Sequence, residues 1–456
     1  MISRIGEWLS RQSERFVPSP FVLALLLSAV TCLLAGFWGD AVTGQAPIDR
    51  LGTIADGWFG AFYGSSGLTF AMQMTIVLVT GHVLARSAPV RGVVGRIARV
   101  AKGPKTAAFV VALVACLASV IQWGLGAIVG AFMAREMGRA FERDGRPVDY
   151  PLLGAAGYAG FMVWHGGLSG SAPLKVAEEG HFVADVIGVV PVSQTLLSPL
   201  NLVITGTLLV VIPSLFWALM PTEPERMTTP DVSATETDDE ADAGPSYEHP
   251  LLHWLEETRA INLMAGMLGF GFLGWYFAGR GVAGWNLNAI NLLFLTAGLV
   301  LYPTPGAYVR AIREGVQGAA GIILQFPFYF GILGVLQVSG LIEQIAEFFV
   351  SISTQVTFPI FAFLSAGIVN FFVPSGGGQW AVQGQVLMEA ANQLGVPTHE
   401  AIMAFSYGDA WTNMLQPFWA LPLLGIMGLE ARDIIGYTAL VMFVTGPLVM
   451  GLLVVL

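Results

Sequence analysis

Four short patches of polar and glycine residues interrupt long apolar stretches of this chain, and they hold most of the chemistry available to it away from water. Gln122 and Trp123 stand in IQWGLG. His165, Ser169 and Ser171 stand in WHGGLSGSAP. Asn370, Ser375, Gly376, Gly377, Gly378 and Gln379 belong to NFFVPSGGGQW, and Asp409, Thr412 and Asn413 to YGDAWTNMLQP. Proline with three glycines cannot continue a helix. Glycine lets backbone N–H groups approach an anion, and a helix that restarts after a break points its positive end at it. Neutral hydroxyls and amides complete such a site without a permanent buried cation. Such donors could grip a carboxylate, and Trp123, Phe372, Trp380, Trp411 and Trp419 could form an apolar wall beside it. A branched side chain at Gly377 is expected to fill the gap and to resist a positive φ.

Asp409 is the one carboxylate at a break, and an intramembrane carboxylate is a functional group by default. It could carry a coupling proton, or bind Na⁺ together with Asn413, Ser375 and freed backbone carbonyls. His165 could titrate near neutral pH. Plainer readings stand beside these. Serine and glycine also let helices pack closely, tryptophans fill cores, Asp409 could pair structurally, and His165 could be a hydrogen-bonded structural histidine. Lys175, Glu178 and Glu179 are expected at the outer membrane surface. His165 and its neighbouring serines could be drawn as a base and nucleophile, but no HExxH, GxSxG or paired-aspartate pattern occurs. An enzyme is not expected, nor a cofactor, nor a firm metal site. The coupling ion would be H⁺ or Na⁺. A channel is the third possibility, although mirrored breaks favour a carrier.

The elements that position these residues must lie in a lipid bilayer. Of 456 residues, 55% are hydrophobic and 11% charged, against roughly 25% charged in soluble domains. Apolar runs at Phe21–Trp38, Leu68–Ala85, Val203–Met220, Ile261–Ala278, Leu287–Tyr302 and Ile434–Leu456 approach the roughly 20 residues that cross a bilayer as a helix. A polytopic α-helical membrane protein follows, with no nucleic-acid partner. Cys32 and Cys116 lack ligand or redox spacing. Arg4, Arg11 and Arg15 precede the first run, which reads as a transmembrane helix with the N-terminus inside, not as a cleaved signal.

An acidic segment, about residues 221–258, lacks apolar periodicity and reads as a flexible linker between membrane halves 1–220 and 259–456. The halves repeat. Gln73 lies fourteen residues before Ser87, and Gln325 fourteen before Ser339. Each is followed by a surface stretch (90–100 and 341–349), then by a hairpin (about 106–134 and 357–388) and a broken helix (about 150–173 and 400–428). Arginines and lysines flank the first hairpin, whereas Glu343, Glu347, Glu389 and Glu400 flank the second. By the positive-inside rule the hairpins enter from opposite faces, which makes an inverted-topology repeat with both tips near the midplane.

NFFVPSGGGQW, FPFYFGI, WGLGAIVGAFMARE and QPFWALPLLGIMGL together resemble the short-chain fatty acid transporter family, of the AtoE type, over nearly the whole chain apart from the acidic linker. The PSGGG tip is also similar to tips of anaerobic C4-dicarboxylate carriers in the wider ion-transporter superfamily. The resemblance implies a scaffold domain, a transport domain of two hairpins and two broken helices, a homodimer and elevator-like movement in a bacterial inner membrane. It implies acetoacetate- or butyrate-like substrates. Dicarboxylate transport is the nearest alternative, and the lack of a buried arginine pair argues for a monocarboxylate.

Overall fold

The computed structural model describes residues 20–229, 249–317, 319–371, 373 and 375–456. The expectations that rest on Arg4, Arg11, Arg15, Phe372, Pro374 and residues 230–248 lie outside the described residues. Regular structure within them is helical, with no strand. The first half runs α1 (Pro20–Trp38), α2 (Pro47–Phe62), α3 (Ser65–Arg86), α4 (Ala88–Ala98), α5 (Pro104–Ile121), α6 (Trp123–Arg143), α7 (Tyr150–Tyr158), α8 (Ser171–Val176) and α9 (Pro199–Leu219). The second runs α10 (Arg259–Arg280), α11 (Leu287–Leu301), α12 (Pro305–Gln317), α13 (Ala320–Ser339), α14 (Leu341–Ile352), α15 (Phe358–Asn370), α16 (Gly376–Leu394), α17 (Thr398–Thr412), α18 (Pro417–Met427) and α19 (Ala431–Val455).

Among the described residues, six helices are long and apolar enough to cross a membrane: α3, α5, α9, α10, α13 and α19. α11 has 15 residues, a length of about 22 Å. The expected span at Leu287–Tyr302 is thus shorter than a ~30 Å hydrocarbon layer. Large apolar side chains point outward, with Phe37 71% and Trp275 78% exposed, as lipid-facing helices require.

Proline stands in the first turn of many of these helices, including α2, α5, α9 and α15, where its missing N–H costs nothing. Gly340, at φ 77°, ends α13 and turns the chain into α14, a conformation that favours glycine.

α5 and α6 form an antiparallel hairpin around one extended residue, Gln122 (φ −161°, ψ 126°). Gly126 faces Ser119, and Gly130 faces Ala115. α15 and α16 form the second hairpin, pinned where Gln379 donates to the Ala366 carbonyl at 2.7 Å and Gln383 to Ser365 Oγ at 2.9 Å. α7 gives way after Tyr158 to 3₁₀ turns over Ala159–Met162 and Trp164–Gly166, and helix resumes as α8. α17 stays helical through Thr412, one 3₁₀ turn covers Asn413–Leu415, and α18 follows. Asp409 and Thr412 therefore lie in the last turns of a helix, not in the break where they were expected.

The halves are interleaved. α1 and α2 pack on α13, while α11 and α12 pack on α3. α18 packs on α6, and α8 on α16. α3 and α13 thus each take neighbours from the other half.

Candidate functional site

The interior backbone freed at the breaks is bonded by side chains from other segments, as a protein-covered break in a bilayer must be. Tyr158 Oη donates to the carbonyls of Asn413 (2.8 Å) and Gln416 (3.0 Å). Asn201 Nδ2 donates to the Gly166 carbonyl at 2.8 Å, and Tyr407 Oη to Asn201 Oδ1 at 2.8 Å. Leu168 N–H donates to the Val120 carbonyl at 2.7 Å, which ties the first break to the end of α5. All four breaks meet beside Met74 of α3 and Ile322 of α13.

α3 links three cavities. Near its start Ser65, Ser66, Thr69 and Gln73 line a vestibule of about 730 Å³. Met74 faces a chamber of about 20 Å³, bounded also by Trp123, Phe161, Trp164, Ile322, Ser375, Gly376, Gly377, Asn413 and Trp419. Leu78, His82 and Arg86, further along α3, line a second and mainly apolar vestibule of about 460 Å³. Trp123, Phe161 and Trp419 border both this vestibule and the chamber. Their rings lie close, Trp123 5.4 Å and Phe161 6.0 Å from Trp419. The chamber has room for about one water molecule. Among the described residues, no lysine or arginine lines it.

The tip residues divide into positions that face the chamber and positions bonded within the protein. Ser375 N-caps α16, its Oγ accepting from Gly378 N–H at 3.4 Å. Gly376–Gly378 form the first turn of α16, and Gly376 and Gly377 bring the positive helix end to the chamber. None of the three has a positive φ, which corrects the expectation at Gly377. Close approach is the reason for glycine here. A Cβ at Gly376 would lie 2.7 Å from His165 Cε1 and 2.8 Å from Asp409 Oδ2, and one at Gly377 would lie 2.9 Å from Phe70 Cζ.

Gln122 and Ser169 face inward. Gln122 is fully buried, donates to the Val77 carbonyl and caps α6 through Leu125 N–H. Ser169 Oγ accepts from Trp123 N–H at 3.0 Å. Asn370 donates to the Asp409 carbonyl (2.8 Å), Thr412 Oγ1 (3.0 Å) and Asn413 Oδ1 (2.8 Å). Thr412 in turn donates to the Gly367 carbonyl at 2.9 Å. Of the expected oily wall, Trp123 and Trp419 line the chamber. Trp380 is buried against Phe405, and Trp411 donates to the Met442 carbonyl at 2.7 Å. Phe161 and Trp164 take their place. Trp164 stands directly before His165 inside a quoted break, so its position was a usable signal. Phe161 carried none.

Asp409 and His165 meet, one from each half. His165 Nδ1 lies 2.7 Å from Asp409 Oδ2, and both side chains are buried. Ala172 N–H donates to His165 Nε2 at 3.1 Å, so that nitrogen accepts. Ser171 Oγ donates to the same atom at 3.0 Å. The proton of neutral His165 therefore sits on Nδ1 and is donated to Asp409. Asp409 Oδ1 is buried without a hydrogen-bond partner among the described residues, as is Asn370 Oδ1. The Ser171–His165–Asp409 chain looks like a nucleophile, base and acid. Ser171, however, is wholly buried and cannot meet an acyl group in this arrangement. The described residues hold no cluster of three His, Cys, Asp or Glu that would bind a metal ion.

Lys175 and Glu178 depart from expectation. They are buried, at 4% and 9% exposure, not displayed at the surface. Their charges pair at 2.8 Å, which removes most of the cost of desolvating each alone.

A sequence profile of the short chain fatty acid transporter family matches residues 1–456. The chain is 41% identical over 453 residues to a protein of Escherichia coli (strain K12) provisionally named a short-chain fatty acid transporter, covering 99% of each chain. A protein of Haemophilus influenzae (strain ATCC 51907 / DSM 11121 / KW20 / Rd) with the same provisional name is 37% identical over 455 residues, with 98% of each covered. The crystal structure of the Alcanivorax borkumensis YdaH transporter, described as having an unusual topology, superposes with a TM-score of 0.61 at 15% identity. It covers 96% of this chain and 98% of that one. At that identity the likeness concerns the fold alone.

Proposed function

The chain belongs to the short-chain fatty acid transporter family, and we propose that it carries acetoacetate- or butyrate-like monocarboxylates across a bacterial inner membrane by alternating access. It is a multi-pass membrane protein of a transporter family, not of an enzyme family. The observation that carries the substrate reading is the small chamber midway along α3, between two vestibules. The start of α16 supplies N–H donors there, and tryptophans supply an apolar wall. A carboxylate suits the donors, and a short tail suits the aromatic side and the apolar vestibule beyond it. A dicarboxylate would place a second charge among rings.

In this reading the two hairpins are re-entrant and enter from opposite faces. α5 is long enough to span, but its tip meets the second hairpin at the chamber, so the remainder of its length lies toward the arginine-rich face. The N-terminus and that face are cytoplasmic, and the apolar vestibule opens inward. Halves 1–220 and 259–456 flank the acidic linker, and α5–α8 with α15–α18 move as the transport body of a homodimer. Substrate entry requires the chamber to enlarge, since about 20 Å³ is less than a carboxylate needs.

Coupling is assigned to Asp409. Its Oδ1 faces no partner among the described residues, while His165 holds Oδ2. A proton on Oδ1 would neutralise the buried carboxylate. Na⁺ would use Oδ1 with the second lone pairs of Asn413 Oδ1 and Ser375 Oγ. Purified protein in vesicles, under an imposed proton or sodium gradient, should accumulate labelled butyrate in preference to succinate. Equilibration without accumulation would indicate a channel, and accumulation of succinate would favour the dicarboxylate reading.

A further inference from the structure

The larger vestibule, at the opposite end of α3 from Arg86, has an unusual floor. Lys175, on α8, is the only lysine or arginine among the described residues that is buried. Its Nζ lies 2.8 Å from Glu178 Oε2. The other carboxylate oxygen, Oε1, accepts from Gln73 Nε2 at 3.0 Å. Gln73 is held in that orientation because its second N–H donates to Asn288 Oδ1 at 2.9 Å, while its own Oε1 lies 3.5 Å from Lys175 Nζ. A carboxylate is thus gripped through both oxygens by a cation and an oriented amide, and that carboxylate belongs to the chain itself.

Glu178 lies beyond the end of α8, in a turn closed by Gly180 at φ 66°, and it lines the vestibule with Glu179, Arg280, Ser65 and Ser66. It has space into which to swing. His181, in the same loop, is held below its usual range mainly by burial, against its bond to the Gly188 carbonyl. The charges lining the vestibule are those of Lys175, Arg280 and the glutamates. The route inward is short. Lys175 Nζ stands 5.2 Å from the centre of the Phe70 ring, and Phe70 Cζ abuts Gly377 at the chamber.

We infer that Lys175 and Gln73 form a receptor for the substrate carboxylate at the entrance from this vestibule, which Glu178 fills with its own carboxylate until a small monocarboxylate displaces it. The inference rests on the carboxylate-carrier reading above. Gln73 was marked in the sequence only by its repeat with Gln325, and the receptor gives it a role that its counterpart lacks. Gln325 Oε1 accepts from Tyr329 Oη at 3.1 Å.

The test uses the full chain in vesicles, with size-exclusion of each variant as the check on folding. Lys175→Met should raise the KM for butyrate about tenfold or more, because a charge-assisted contact is lost. Glu178→Gln should lower it about threefold, because the internal competitor is gone. The charge swap Lys175→Glu/Glu178→Lys keeps an ion pair but should retain the high KM. If the swap restores the parent KM, or if all the variants match the parent, the pair is a structural bridge and the receptor is refuted.

A second measurement does not depend on transport. With Cys32 and Cys116 replaced, Glu178→Cys should react with a small cationic thiol reagent applied at this vestibule. Butyrate should slow that reaction, and Lys175→Met should abolish the protection. Protection without any butyrate uptake would sink the carrier reading and leave the receptor standing. Uptake without protection would sink the receptor alone.

Discussion

Gly377 stands in the first turn of α16 with helical backbone, so a side chain there acts through space rather than through φ. Valine would place its Cβ 2.9 Å from Phe70 Cζ and 3.4 Å from Phe326 Cε1, before its methyls are counted. Overpacking of this kind costs about 1–3 kcal/mol and moves the rings. Gly377→Val should leave folded protein in the membrane within about twofold of the parent while cutting butyrate uptake about tenfold or more. Normal uptake by a well-folded variant would remove the tip from the transport path. At Asp409 the substitution by Asn keeps an oxygen for the His165 Nδ1–H and discards the charge. Asp409→Asn should still exchange labelled butyrate against unlabelled butyrate, yet fail to concentrate it. Accumulation equal to the parent's would make Asp409 a structural partner of His165 and place coupling elsewhere.

The helical hairpins and broken helices carry the topology. Single cysteines introduced at 89–105 and 135–149, with Cys32 and Cys116 replaced, should label from the cytoplasmic side, and those at 341–356 and 389–400 from the outside. Labelling of all four from one side would end the inverted-repeat reading. The breaks themselves were legible because glycine, proline and small polar residues stand out within apolar sequence. IQWGLG marks the turn at Gln122, and PSGGG marks the start of α16 within a residue or two. The partners of polar side chains were not legible. Gln122 looked like a ligand donor, but Val77 and Leu125 take its amide, and Val77 lies 45 residues away. Lys175 looked like a surface charge because Gln73, 102 residues earlier, cannot be assigned to it from spacing. His165 and Asp409, separated by 244 residues, were each singled out, but nothing in the sequence joined them.

At the scale of the whole molecule, the likeness in fold to the YdaH transporter extends across 96% of the chain and so takes in both halves. The least local feature of the fold is the exchange of neighbours, with α1 and α2 on α13, and α11 and α12 on α3. This has a consequence for biogenesis. When the ribosome has released only the first half, α3 can pack on α6, but the face that takes α11 and α12 stays open, since Asn291, which donates to the Gln73 carbonyl at 3.0 Å, is 218 residues downstream. The first half must then wait in the lipid as an incomplete intermediate, open to quality-control proteases, until the second is threaded in. Two polypeptides made by cutting the gene between the codons for residues 230 and 248 should each be degraded when expressed alone. Expressed together they should protect one another, co-purify and restore butyrate uptake, whereas a first half that persists and purifies alone would show that the halves mature independently.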